Sequence, residues 1–160
     1  MIKIKPEHEF IRYLRFERHL QACDQVSNYF NIADVIALDK RKKLVLEFEF
    51  KKSSHDLKVK ELKKRKYHSI STKWPHKFYF VVPEKLWKKE KRHLKKVNKE
   101  RGIGTIIYHK LNGKFAFLVV ENSKLKNVVF QDYNIVQKNL MVRCTSAYAK
   151  LLVDYHNLKG

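Results

Sequence analysis

Along Leu44–Lys51 apolar and polar positions alternate with a period of two. Leu44, Leu46, Phe48 and Phe50 fall on one face, and Val45, Glu47, Glu49 and Lys51 on the other, the pattern of a half-buried strand. Ala33–Asp39 upstream reads as another strand, and the basic run Lys40–Lys43 between them predicts the turn of a hairpin. Pro6-Glu7-His8-Glu9 predicts the start of a helix, because proline suits the first turn and acids favour the positive end of the helix dipole. The pattern carries this helix to about Cys23. Tyr13, Phe16 and Leu20 share a narrow sector at 100° per residue, and Phe10 and Leu14 widen it. Glu9 falls inside that stripe and Glu17 near its middle, where a carboxylate is costly unless something pairs with it.

Further along, Ser53-Ser54-His55-Asp56 predicts a loop or cap before a basic helix over Leu57–Tyr67. Lys77–Val82 is a continuous apolar run that predicts a strand buried on both faces. Pro83-Glu84 opens a helix reaching about Glu100. A strand follows over Gly102–Tyr108, then an Asn112-Gly113 hairpin turn and a returning strand over Phe115–Glu121. Lys124–Tyr133 offers one more extended piece, and Asn139–Leu158 a closing helix with Leu140, Ala147, Leu151 and Leu152 near its apolar side. This order predicts an α/β fold with a mixed central sheet flanked by helices, in a single domain over residues 1–160.

Composition then changes the picture. Lys and Arg number 36 against 16 Asp and Glu, a net charge of +20. Such an excess is well beyond the roughly 2–8 charges that solubility asks for, and it points to a polyanionic partner. Nucleic acid is the first candidate and an anionic membrane surface the second. Cys23 and Cys144 lie far apart, each in a helix by this reading, with no zinc-binding spacing, so they are expected to be buried free thiols in a reducing compartment. With no leader pattern after Met1–Pro6 and no apolar run near 18 residues, a soluble, cytoplasmic protein is expected.

The chemistry concentrates on the Glu-Phe-Glu-Phe-Lys strand. Glu49 and Lys51, two apart, project from one face, and Asp34 lies on the neighbouring strand. One Asp, one Glu and one Lys beside a sheet suit a hard cation held by oxygen ligands at a phosphodiester. The competing reading of an acid and a lysine two apart is a solvated strand face. Glu47 adds a third acid, read as a salt-bridge partner for a nearby lysine rather than a ligand.

Asp34 followed fifteen residues later by Glu49-Phe50-Lys51 resembles the PD-(D/E)xK nuclease superfamily, the restriction-endonuclease-like fold, although Ala33 stands where many members have proline. The sharper resemblance is to small MmcB-like DNA repair proteins. It rests on Ala33-Asp34-Val35-Ile36-Ala37, Glu49-Phe50-Lys51-Lys52-Ser53-Ser54-His55-Asp56, Lys66-Tyr67-His68, Phe78-Tyr79-Phe80-Val81-Val82-Pro83-Glu84 and Gly102-Ile103. The resemblance implies a metal-dependent DNA endonuclease acting in repair, recombination or foreign-DNA processing. Asp34 and Glu49 would hold Mg²⁺ or Mn²⁺, and Lys51 would be the catalytic lysine. Glu9 would be a further helix acid on the metal, with Glu17 as the competing choice. Lys52, Ser53, Lys64, Lys66 and His68 would touch nucleic acid. Relatives that cut duplexes often pair to reach two strands, so a homodimer is compatible with the likeness.

The basic runs Lys40–Lys43, Lys58–Lys66 and Lys85–Arg101 would contact phosphates without reading sequence, on DNA or on RNA. Trp74 and Trp87 either stack on unpaired bases or pack in the core. The alternative to an enzyme is a catalytically inactive nucleic-acid-binding module of the same fold.

Overall fold

The computed structural model describes residues 5–27, 32–60, 75–126 and 130–157. Its elements are α1 (Pro6–Phe16), β1 (Gln21–Ser27), β2 (Ile32–Asp39), β3 (Leu44–Phe50), a short π-helical segment over Asp56–Lys60, β4 (Lys77–Pro83), α2 (Glu84–Arg101), β5 (Gly104–Leu111), β6 (Lys114–Glu121) and α3 (Phe130–Asn157). The six strands form one sheet in chain order. β1, β2 and β3 form an antiparallel meander, β3, β4 and β5 run parallel, and β6 returns antiparallel to β5. The fold is therefore α/β, a mixed sheet with helices on both faces.

Strand alternation assigns the layers. Phe48, Phe50, Tyr79, Val81, Ile106 and Tyr108 point to the side where α1 buries Phe10 and Leu14. Phe78, Phe80, Val82 and Ile107 point to the other side, under α2. Ile36, Leu38 and Val45 continue that second face beneath Tyr133, Val136 and Leu140 of α3. β4 is thus buried on both faces, as its unbroken apolar run requires. The β5–β6 turn has both Asn112 and Gly113 at positive φ (49° and 81°), the left-handed pair that a two-residue hairpin needs. Among the described residues no helix is long and apolar enough to cross a membrane.

Two expectations are corrected. The first helix ends at Phe16, not near Cys23: Glu17 and Arg18 donate their N–H groups back to Tyr13 O, Leu20 N–H reaches Leu14 O, and the chain turns into β1. Cys23 therefore sits on a strand, buried at the sheet. The closing helix starts at Phe130 rather than Asn139, so Phe130–Tyr133 is helical and 122–126 carries no strand. Of the two readings of Trp87 the core one holds: it packs beneath α2. Trp74 and most of the predicted Leu57–Tyr67 helix lie outside the described residues.

Candidate functional site

β2 and β3 set the central geometry. Val35 lies opposite Phe48 and Ile36 opposite Glu47, and extending this register by one residue sets Asp34 across from Glu49. Both side chains leave the same face of the sheet. Asp34 also reaches over to β3, where its Oδ2 accepts the Phe50 N–H at 2.9 Å. Glu49 is beside Phe80 in the parallel register. Two residues on, the Lys51 N–H donates to Val81 O at 3.0 Å, which extends the pairing past the end of β3 and fixes where its side chain starts. The Lys51 Nζ then lies 3.4 Å from Glu49 Oε2 and 5.8 Å from the centre of the Phe80 ring. Both partners of this ion pair are 2% exposed.

Asp34, Glu49 and Lys51 line one cavity of about 520 Å³. Three other elements bring further charge to it. α1 contributes Glu7 and His8 with Lys5 just before them, β1 contributes Asp24 and Gln25, and the segment after β3 contributes Lys52 and Asp56. Five carboxylates thus face three lysines in a protein whose net charge is +20. Gln25 holds φ at +50° inside β1, a conformation that costs a non-glycine residue on the order of 1 kcal/mol or more. Asp24 is clamped from α3, with Arg143 Nη2 3.6 Å from its Oδ1 and Arg143 Nε donating to its carbonyl at 3.3 Å.

The loop after β3 closes on itself. Ser53 Oγ accepts the Asp56 N–H at 3.1 Å, Asp56 Oδ2 accepts the Lys52 N–H at 3.4 Å, and the Leu57 N–H donates to Ser53 O at 3.0 Å. This reciprocal arrangement caps the helical segment that follows. Lys52 turns its Nζ to Glu7 Oε1 at 2.9 Å. Burial pushes the Glu7 carboxyl up, but the hydrogen bond and charge of Lys52 outweigh it, and the group titrates below its ordinary range. The same hydrogen bond from Glu7 leads the shift of Lys52 upward. The other Glu7 oxygen, Oε2, is buried and has no hydrogen-bond partner among the described residues.

Of the residues singled out from the sequence, Asp34, Glu49, Lys51 and Lys52 are brought together. Glu9 is not: it lies outside the cavity and pairs with Arg12 Nε at 3.1 Å. Glu17 is 54% exposed and sits 3.5 Å from Arg12 Nη2. The reason is rotational. The stripe centred on Phe16 and Leu20 presumed a longer helix, but Phe16 is 70% exposed and the buried face runs through Phe10 and Leu14. Glu7, three residues before Phe10, shares that face. Ser53 serves as a cap, and Lys64, Lys66 and His68 lie outside the described residues. Glu47 is buried away from the cavity; burial lowers the pKa of Lys126, and the Glu47 charge opposes that shift. Asp24 and Gln25 were missed because β1 carries no strand pattern.

Asp34 and Glu49 offer carboxylate oxygens, the donor type that a hard divalent cation prefers. Among the described residues no three His, Cys, Asp or Glu side chains group tightly enough to ligate one ion together. Two carboxylates from adjoining strands, with water and phosphate oxygens completing the shell, are what Mg²⁺ ordinarily takes.

No family profile matches the chain, and no curated protein matches it. Among solved structures it is similar to a protein of unknown function from Silicibacter pomeroyi, at 13% identity and a TM-score of 0.66, over 99% of this chain and 97% of that one. At that identity the likeness concerns the fold alone.

Proposed function

We propose that the chain is a metal-dependent endonuclease that hydrolyses phosphodiester bonds in DNA, in the manner of the PD-(D/E)xK superfamily that Asp34 and Glu49-Phe50-Lys51 resemble. The observation that carries this reading is the cavity itself. Acids are outnumbered more than two to one in the chain, yet five of them line the space around Asp34 and Glu49. Such a lining repels a phosphate unless a cation is shared between them.

In this reading Asp34 and Glu49 hold Mg²⁺ or Mn²⁺, and Glu7 takes the supporting place on α1 that Glu9 does not occupy. The cation, when bound, polarises the scissile phosphate and makes a bound water acidic. Lys51 leaves the Glu49 carboxylate to orient the attacking water and to neutralise the charge that builds on phosphorus. The exposed lysines of α2 and the β2–β3 turn hold the backbone of the polymer in place. The test is cleavage of plasmid, branched and flapped DNA with Mg²⁺ or Mn²⁺. Activity is expected in the wild type and a loss of at least a hundredfold in Glu49→Gln and in Lys51→Ala. Activity indifferent to both substitutions would end the proposal.

One observation favours a second reading, an inactive nucleic-acid-binding module. Glu49 and Lys51 neutralise one another in near-complete burial, which a binder can keep indefinitely. Calorimetry separates the two readings: a binder takes up no Mn²⁺ and holds duplex equally well after Asp34→Ala.

A further inference from the structure

A second cavity, of about 490 Å³, lies where the α1–β1 turn meets the β2–β3 turn. Its charge is the reverse of the first. Arg18, Lys40, Arg41 and Lys42 line it together with His19, against the single carboxylate of Asp39. That carboxylate is engaged in the turn, where Asp39 Oδ1 accepts the Lys42 N–H at 3.0 Å. The opposite wall is equally fixed. The N–H groups of Arg18 and Leu20 bond back to Tyr13 O and Leu14 O at 3.1 and 2.9 Å, and His19 between them holds φ at +52°, the left-handed turn that ends a helix. Both turns present their basic side chains from pinned backbones.

β2 and α1 both run between the cavities. On β2, Asp34 lines the first and Asp39 the second, five residues or about 17 Å apart at strand rise. α1 spans the same interval: Glu7 on its first turn lines the first cavity, and Arg18, just past its end at Phe16, lines the second. Arg12, exposed between them, has its charge taken up by Glu9 and Glu17 and adds no third site.

We propose that the cleft lined by Arg18, His19 and Arg41 is a second phosphate subsite. Resting on the nuclease reading of the first cavity, it makes the ligand a polynucleotide that engages both ends of α1. A separation of about 17 Å corresponds to about five base pairs of duplex along the axis. A mononucleotide or free phosphate reaches only one of the two cavities.

The test is binding of a 20-base-pair duplex in EDTA, followed by fluorescence anisotropy across a salt series. It compares the wild type, Arg18→Ala/Arg41→Ala, and the charge-matched control Lys110→Ala/Lys114→Ala on the β5–β6 hairpin. Loss of two phosphate contacts lowers the slope of log K against log salt by about 2 and weakens binding by about thirtyfold at 0.15 M salt. The control should fall by much less. Equal losses in the two double variants, an unchanged slope in the Arg18/Arg41 variant, or a wild type that binds inorganic phosphate here but no duplex, would each overturn the proposal. Because binding is read without metal, a wild type that shows the expected slope but never cuts removes the nuclease reading and leaves this subsite standing.

Discussion

Substituting Lys51 by methionine probes the site most directly. It keeps most of the side-chain length and removes the ammonium 3.4 Å from Glu49 Oε2, leaving a carboxylate that is 2% exposed without that partner. Breaking a buried ion pair from one side costs about 3–5 kcal/mol, because the remaining charge stays desolvated. In a chain of this length each kcal/mol moves the melting temperature by about 2–4 °C, so a fall of about 6–20 °C is expected. The double variant Glu49→Gln/Lys51→Met removes both charges and should recover most of that loss. Metal linkage supplies the decisive arm. If Glu49 and Asp34 hold a divalent cation, removing the competing ammonium tightens the site, and Mg²⁺ at about one hundred times its Kd returns about 2.7 kcal/mol to Lys51→Met. Thermal melts by circular dichroism, with and without 10 mM Mg²⁺, read both effects. A Lys51→Met protein that melts within 2 °C of wild type, or whose melting is indifferent to Mg²⁺ and Mn²⁺, would refute the assignment of this pair as a cation site held shut by its own lysine.

Three other outcomes follow from the packing. The Glu7 carboxyl titrates low in the folded protein, so its contribution is present above the ordinary value of 4.5 and is lost as pH falls through the folded value; Glu7→Gln should flatten the acid limb of a urea-midpoint series from pH 6 to pH 3, and parallel limbs would contradict the Lys52 pairing. Burial, aided by the neighbouring Cys144 sulfur, pushes the Cys23 thiol up to about 12; iodoacetamide at pH 8 should therefore label Cys144 well ahead of Cys23 in the folded protein, with the two equalised in urea, as peptide mapping would show. A Cβ on Gly104 would overlap the Tyr79 ring and press on Ser123 N at 2.6 Å, so Gly104→Ala should lose about 2 kcal/mol or more, read as a lower urea midpoint, and a neutral substitution would mean that β5 shifts freely under the ring.

The parts legible in the sequence were those whose environment imposes a period. β3 alternates because one face meets α1 and the other carries Glu47, Glu49 and Lys51, and β4 runs unbroken because Phe78 and Phe80 face α2 while Tyr79 and Val81 face α1. β1 was illegible. Gln21–Ser27 contains two acids or amides in its centre, and its strand character comes from pairing with β2 rather than from any alternation of its own. The missed strand had a second consequence. Extending α1 through it rotated the expected buried stripe toward Phe16 and selected Glu9, whereas the true end at Phe16 selects Glu7. α3 was shortened for a related reason. Its buried stripe of Tyr133, Val136 and Leu140 begins in a stretch of mixed polarity that resembles extended chain until the i, i+3, i+7 spacing is followed from its first member.

The candidate site divides along the same line. Asp34, Glu49 and Lys51 were readable because one hairpin brings them together, and a hairpin's register follows from its turn. Glu7, Asp24 and Asp56 approach the same cavity from three other elements, and no spacing along the chain records that convergence. The two cavities at the ends of α1 make the point in charge. Nothing in the net value of +20 says that five carboxylates gather at one end of an eleven-residue helix and four permanent cations at the other. A uniform basic coat would attract a polyanion without orienting it. On the proposed reading, a pole that would take up a cation before tolerating phosphate, set about 17 Å along β2 from a pole that needs none, would give a bound polymer a direction, and metal is then expected to change where a bound strand lies more than how tightly it is held.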